Sequence, residues 1–150
     1  MKYFTIDELV RSDTAIIKHI DNTPSDDIKN NLIELIENLL DPIREGWTEY
    51  CKINQLGNAG IRVNSGYRCK MLNKAVGGSN SSSHMTGFAV DIVPMNGQMR
   101  HFQKWIDSFI NRLDWDQLIF ERPRNGVASW IHIGYKNSNL QQRRQKFTLI

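Results

Sequence analysis

The chain has 150 residues, of which 40% are hydrophobic and 23% are charged, as is ordinary for a soluble globular domain. Its 19 basic and 16 acidic residues leave a net charge of +3 without a long basic run, so we expect no nucleic-acid partner. No apolar run reaches the length of a membrane span, and Asp7 and Glu8 interrupt any signal-peptide core. We therefore expect one domain over residues 1–150, monomeric and made in the cytoplasm.

Helical and strand patterns follow one another along the whole chain. Apolar spacing predicts an amphipathic helix over Ser25–Leu40, which Pro42 should kink or end. Beyond it the patterns predict, in chain order, a strand (61–65), a short helix (70–76), a strand (88–93), a second amphipathic helix (98–113) and two strands (117–121 and 130–135). The basic stretch from Arg143 to Lys146 is interpreted as a solvated face. The expected fold class is α+β, a small antiparallel β-sheet flanked by helices.

Three polar residues stand out against these patterns. Asp91 lies within an apolar strand, where a carboxylate is costly to bury unless it is paired or bound to a metal. His132 interrupts the last predicted strand and faces the opposite way from its isoleucine neighbours. If the two strands are adjacent, Asp91 and His132 lie side by side. His84 then reaches them from the polar loop that precedes the strand of Asp91.

Two imidazoles and one carboxylate with an open fourth position form a typical catalytic zinc set. A water molecule bound in such a site has its pKa lowered to roughly 7. The same residue types also occur as hydrogen-bonded core groups, so the pattern alone leaves a zinc site and a metal-free network both open. The other two histidines, His19 and His101, have no ligand-like neighbours.

Several motifs of the chain resemble those of the zinc D-Ala-D-Ala carboxypeptidases and phage endolysin peptidases of the M15 type. The family motif SxHxxGxAxD is matched at every specified position by Ser82–Asp91. The similar segments cover most of the chain: Phe4–Leu9, Asn31–Arg44, Ser65–Arg68, Leu72–Asn73, Val76–Gly78, Ser83–Asp91 and Trp130–His132.

The resemblance implies a Hedgehog/DD-peptidase-like α+β fold and a zinc metallopeptidase that hydrolyses cell-wall peptide bonds. It implies that His84, Asp91 and His132 are the Zn²⁺ ligands. It also implies that Arg68 binds the substrate carboxylate or the developing oxyanion, a role for which a fixed, permanently charged guanidinium is suited.

The chain departs from the family at the general base. Many relatives carry an acidic residue three positions before the last histidine, where this chain has Ser129, which cannot take a proton at neutral pH. Glu121 is our candidate base, because strand alternation places it with Gln117 on the face opposite Leu118 and Phe120. Glu121 could instead be a strand-end salt-bridge partner of the arginines that follow it.

The expected function is zinc-dependent hydrolysis of the peptidoglycan stem peptide, with Ser83 and Gln117 as further substrate-binding candidates. Carboxypeptidase and endopeptidase activities both remain open. The lack of a signal-peptide pattern and of wall-binding repeats favours a phage or prophage lysin, or a virion component, that reaches the wall after release or with the particle. The alternatives are a catalytically silent zinc-bound phage structural or adaptor module, which Ser129 favours, and a metal-free binding module.

Overall fold

The structure is a computed structural model that describes residues 1–150 and has an α+β architecture. The helices are α1 Ile6–Val10, α2 Asp13–Ile17, α3 Asp26–Leu35, α4 Asp41–Asn54, α5 Lys70–Ala75 and α6 Met99–Phe109. The strands are β1 Ile61–Ser65, β2 Ala89–Pro94, β3 Gln117–Glu121, β4 Trp130–Gly134 and β5 Gln145–Leu149. None of the helices is both long enough and apolar enough to cross a bilayer. The expected fold class is confirmed.

The first long helix does not end at Pro42. A π-helical turn, Ile36–Leu40, joins α3 directly to α4, and Pro42 lies in the first turn of α4. Proline has no N–H to donate to the carbonyl four residues earlier in a helix. The wider hydrogen-bond pattern of the π turn directly before Pro42 does not require that bond. The expected interruption at Pro42 is therefore only local, and the helix continues to Asn54.

Four strands form the predicted antiparallel sheet, and a fifth extends it. The strand order is β1-β2-β4-β3-β5, and every neighbouring pair is antiparallel except β3 and β5, which are parallel. The sheet is thus mixed, because β5 adds to its edge. All five residues of β5 are exposed, so this edge strand has no buried face.

A buried carboxylate anchors the segment before β5. Asp116 is fully buried, and it accepts hydrogen bonds from Nε, Nη2 and the backbone N–H of Arg143 at 2.8, 2.8 and 2.9 Å. Arg143 is exposed, as the interpretation of a solvated face expects, and its guanidinium also neutralises Asp116. This ion pair fixes the start of β5 beside β3.

The helices cover one face of the sheet and leave the other face open. The covered face holds apolar side chains that pack against α3, α4 and α6: Val90, Ile92, Leu118, Ile131 and Ile133. Burying each such side chain contributes roughly 1.5–3 kcal/mol, so the alternation of these strands is fixed by the core. The intervening residues of β2, β3 and β4 must then face the open side, where the polar side chains are found.

Candidate metal centre and active site

A cleft of about 880 Å³ lies on the open face of the sheet. All seven residues that the sequence analysis selected line this cleft: Arg68, Ser83, His84, Asp91, Gln117, Glu121 and His132. The strands β2, β3 and β4 provide the floor, and the turn before β2 and the segment after β1 provide one wall. The structure therefore brings the predicted site residues into one place.

The side chains of His84, Asp91 and His132 converge at the centre of the cleft. Asp91 and His132 are directly paired across β2 and β4, as predicted, and Asp91 Oδ1 lies 3.1 Å from His132 Nδ1. The same oxygen lies 3.4 Å from His84 Nε2, and the three donor atoms all lie within 4.8 Å of one another. Donors held at about 2.0–2.1 Å from a tetrahedral metal ion are separated by about 3.3–3.4 Å, so the two distances from Asp91 Oδ1 are close to those of a zinc site.

The hydrogen bonding of His84 also points to a cation. His84 Nδ1 lies 2.7 Å from the carbonyl oxygen of Gly66, which can only accept, so Nδ1 carries the proton. Burial lowers the pKa of His84, which keeps the imidazole neutral and leaves a lone pair on Nε2. That lone pair faces a carboxylate oxygen of Asp91, an arrangement that is favourable when a metal ion lies between them.

Asp91 is ionised in this setting. Burial alone would raise its pKa, but the hydrogen bond with His132 is the largest of the interactions that together outweigh burial and hold the pKa of Asp91 well below its usual range. One carboxylate and a neutral His84 thus face one point in the cleft, together with His132. This is the donor set of a catalytic zinc site, in which three protein ligands leave a fourth position open.

Local structure fixes His84 at the start of the 3₁₀ turn Ser83–Thr86. The Ser82 hydroxyl accepts the backbone N–H of His84 at 3.2 Å and caps this turn. Gly87 follows with a positive φ of 82°, and a Cβ atom there would lie 3.2 Å from the carbonyl oxygen of Ile28. The motif glycine therefore allows α3 to pack close to the turn that leads into β2.

Hydrogen bonds fix the backbone at Arg68 and at its two neighbours in the chain. Its N–H donates to the carbonyl of His84 at 3.0 Å, and the Tyr67 N–H donates to the carbonyl of Leu9 at 2.7 Å. The side chain of Asn22, which is 8% exposed, donates to the Tyr67 carbonyl at 3.0 Å and accepts from the Cys69 N–H at 2.8 Å. The chain on either side of Arg68 is thus fixed relative to His84, a candidate metal ligand.

The guanidinium of Arg68 is available to a ligand. It forms no salt bridge, and its Nε is buried without a hydrogen-bond partner. Burial lowers the pKa of Arg68, and this effect outweighs the nearby charges of Asp91 and Glu121, which raise it. An arginine nevertheless remains charged at any physiological pH. An unpaired, partly buried guanidinium beside three metal-ligand candidates is suited to bind an anionic substrate group.

Glu121 lies at the end of β3, on the cleft face, with Gln117 as predicted. Leu118 on the opposite face is fully buried. Burial and then the charge of Asp91 raise the pKa of Glu121, and no arginine pairs with the carboxylate in a salt bridge. Glu121 is therefore a carboxylate of raised basicity that borders the triad.

The position of the family's usual base has a different role in this chain. Ser129 does not line the cleft, and its hydroxyl donates to the carbonyl of Arg122 at 2.6 Å. Its N–H donates to the carbonyl of Glu121 at 2.9 Å. Ser129 thus ties the β3–β4 connection to the end of β3.

The sequence did not indicate the roles of Asn22 and of the Gly66 carbonyl, or that residues after β4 line the cleft. Asn22 lies in a turn-like Asp-Asn-Thr-Pro segment, and its contacts with residues far along the chain leave no local sequence signal. Residues after β4 complete the cleft on the β3 side: Asn137, Ser138, Asn139, Arg143 and Leu149. These side chains are polar or exposed, so no periodic pattern marks them.

Comparison with known families agrees with this geometry. The family model described as Peptidase M15 matches residues 2–133 of the chain. The chain therefore belongs to the peptidase M15 family, whose members are zinc-dependent metallopeptidases. No curated protein sequence matches the chain. The resemblance predicted from the sequence motifs is confirmed at the level of the family, and the match includes all three metal-ligand candidates.

Proposed function

We propose that this protein is a zinc-dependent peptidoglycan peptidase in which His84, Asp91 and His132 hold the metal. The observation that carries the proposal is the spacing of 3.1 and 3.4 Å from Asp91 Oδ1 to the nitrogens of His132 and His84. The proton on His84 Nδ1 supports it, because that proton leaves Nε2 without a hydrogen to offer the carboxylate. The membership in the M15 family supports the same assignment.

The residues around the triad provide the remaining functions of a peptidase. Zinc bound there supplies Lewis-acid chemistry, which activates water and polarises a peptide carbonyl. Glu121 accepts a proton at its carboxylate from the attacking water and returns it to the departing amine. Arg68 binds the substrate carboxylate or the oxyanion, and Ser83 and Gln117 offer hydrogen bonds to the peptide backbone.

The substrate that we propose is the stem peptide of peptidoglycan. Removal of terminal D-Ala and cleavage within the stem or crosslink both fit an open cleft of about 880 Å³. We propose that the chain acts as one monomeric domain, after release from the cell or as a virion component, in the manner of a phage or prophage lysin.

The test is digestion of purified peptidoglycan, with the released peptides identified by mass spectrometry. We expect wild-type protein to release D-Ala or cleaved stem peptides and His84→Ala to release neither. The matched control is His19→Asn, because His19 is exposed and has a φ of 54°, which asparagine also adopts readily. A wild-type protein that releases no product would contradict the proposal.

Ser129 favours one second candidate, a zinc-bound domain without catalytic activity. The usual acidic residue is replaced, so the proposal depends on Glu121 as the base. We expect Glu121→Gln to keep its zinc and to lose turnover by about 10²–10⁴-fold. An unchanged rate in this variant would remove Glu121 from the mechanism, and a zinc-loaded wild type without any turnover would support the silent module.

A further inference from the structure

The end of β3 holds a second arginine in an unusual backbone conformation. Arg122 has a φ of 44°, in the left-handed region that residues with a Cβ rarely adopt. Two hydrogen bonds hold it there: its N–H donates to the carbonyl of Leu149 at 2.7 Å, and its carbonyl accepts the Ser129 hydroxyl at 2.6 Å. Strained residues of this kind persist where the surrounding contacts fix them, and they concentrate at ligand sites.

The exposed side chain of Arg122 is oriented and forms no salt bridge, although its charge also acts on the adjacent Glu121. Its guanidinium lies over the ring of Trp130, 5.5 Å from the centroid, and both residues line the cleft. Arginine stacked on an aromatic face keeps its hydrogen-bond donors free at the edge of the guanidinium. Arg122 forms no salt bridge with any carboxylate of the chain.

Arg122 and Arg68 follow strands that lie on opposite sides of the two strands that carry Asp91 and His132. Arg68 follows β1 and Arg122 follows β3, while Asp91 and His132 lie on the two strands between them. The axes of β1 and β3 are separated by three strand spacings, roughly 14 Å. An extended peptide of about four residues spans that distance.

We propose that Arg122 forms a second anion-binding subsite, which takes a carboxylate of the substrate peptide that is separate from the carboxylate at Arg68. The Ser129 hydroxyl and the Leu149 carbonyl position Arg122 for this role. Ser129, which replaces the usual acidic residue, thus contributes to substrate selection through Arg122. The inference rests on the proposed function for the identity of the peptide, a stem peptide whose D-Glu residue keeps a free α-carboxylate.

The test compares two peptides that differ in this one group. The first is L-Ala-γ-D-Glu-L-Lys-D-Ala-D-Ala, and the second is the same peptide with the D-Glu α-carboxylate amidated. Binding to protein freed of metal with EDTA is measured by isothermal titration calorimetry. Wild type should bind the carboxylate form about 3- to 10-fold more tightly, and added salt should reduce this preference.

Three variants test whether Arg122 is the source of the preference for the carboxylate peptide. We expect Arg122→Gln to bind the two peptides equally, and Ser129→Ala to have an intermediate preference because Arg122 is less firmly held. The matched control is Arg124→Gln, which should keep the wild-type preference, since Arg124 is exposed nearby but does not line the cleft. Thermal unfolding followed by circular dichroism checks that each variant is folded.

The outcomes separate this inference from the proposed function. A wild type that binds both peptides equally or binds neither, or an Arg122→Gln variant with an unchanged preference, would overturn the subsite. A zinc-loaded wild type that cleaves neither peptide, together with carboxylate-selective binding that depends on Arg122, would contradict the peptidase proposal and support the subsite.

Discussion

The carboxylate of Asp91 and the imidazole of His132 face each other across two adjacent antiparallel strands, with 3.1 Å between Oδ1 and Nδ1. Directly opposed residues of an antiparallel pair point to the same face of the sheet, so this relationship follows from the register alone. The register in turn is fixed by the apolar residues on the opposite face, since a shift by one residue would move them out of the core. The core therefore positions the proposed metal ligands.

The raised pKa of Glu121 makes the stability of the fold depend on pH. Burial, followed by the charge of Asp91, raises the pKa of Glu121. A carboxyl whose pKa is higher in the folded than in the unfolded state stabilises the fold when neutral, and this contribution is lost as the pH rises through the folded pKa. We therefore expect Glu121→Gln to unfold at a higher temperature than wild type at about pH 7, with the difference narrowing towards about pH 4. Calorimetry across this pH range measures it, and a less stable variant at neutral pH would contradict the raised pKa.

Gly66 has no room for a side chain, because a Cβ atom there would lie 2.1 Å from the backbone carbonyl oxygen of Leu9. Gly66→Ala must shift this segment, and the Gly66 carbonyl is the group that fixes the tautomer of His84. We expect a loss of about 1–3 kcal/mol in the free energy of unfolding and weaker zinc binding.

Urea unfolding and zinc titration against a chelator measure the two effects of Gly66→Ala. Gly134→Ala is the matched control, because its Cβ atom would lie at an ordinary 3.7 Å from its nearest neighbours. Equal zinc affinity in Gly66→Ala and Gly134→Ala would show that the Gly66 carbonyl does not support the site.

Asn22 is expected to act on substrate binding through Arg68. Asn22→Asp removes the amide donor to the Val10 and Tyr67 carbonyls and leaves them facing a carboxylate, which should cost about 1–3 kcal/mol of stability. Because the backbone beside Arg68 loosens, KM should rise more than kcat falls. Steady-state kinetics on a stem peptide measure this, with the exposed Asn30→Asp as control. A change in kcat alone would argue against positioning of Arg68.

Arg143 should be essential for the C-terminal strand. Arg143→Ala leaves the fully buried Asp116 without its partner, which typically costs about 3–5 kcal/mol. We expect the amides of β5 to lose protection in hydrogen exchange, and Asp116→Asn in the same chain to restore part of the stability. The exposed Arg100→Ala serves as control. If the double variant is less stable than Arg143→Ala, the buried charge is not the cause.

Much of the site could be predicted from the sequence because it follows from strand alternation. Asp91 and His132 each interrupt an apolar strand, and the helices that cover the sheet have clear apolar periodicity. The prediction of where these residues lie is confirmed by the register of β2 and β4. Their role as metal ligands stays a prediction.

Other features depend on contacts between distant parts of the chain. The strand β5 is exposed throughout and is held by the pair Arg143 and Asp116, which are 27 positions apart. Asn22 acts on residues 45 and 47 positions away. The left-handed conformation of Arg122 depends on Ser129 and Leu149, and no local signal marks it. Such features become visible only once the fold has brought these residues together.

The central claim is that His84, Asp91 and His132 bind a catalytic zinc ion. The most direct measurement is the zinc content of purified wild-type protein and of His132→Ala, with cleavage of peptidoglycan assayed on the same samples. We predict about one zinc ion per wild-type chain together with cleavage, and the loss of both in the variant. A folded wild-type protein that takes up no zinc, or a His132→Ala variant that keeps both zinc and cleavage, would contradict the account.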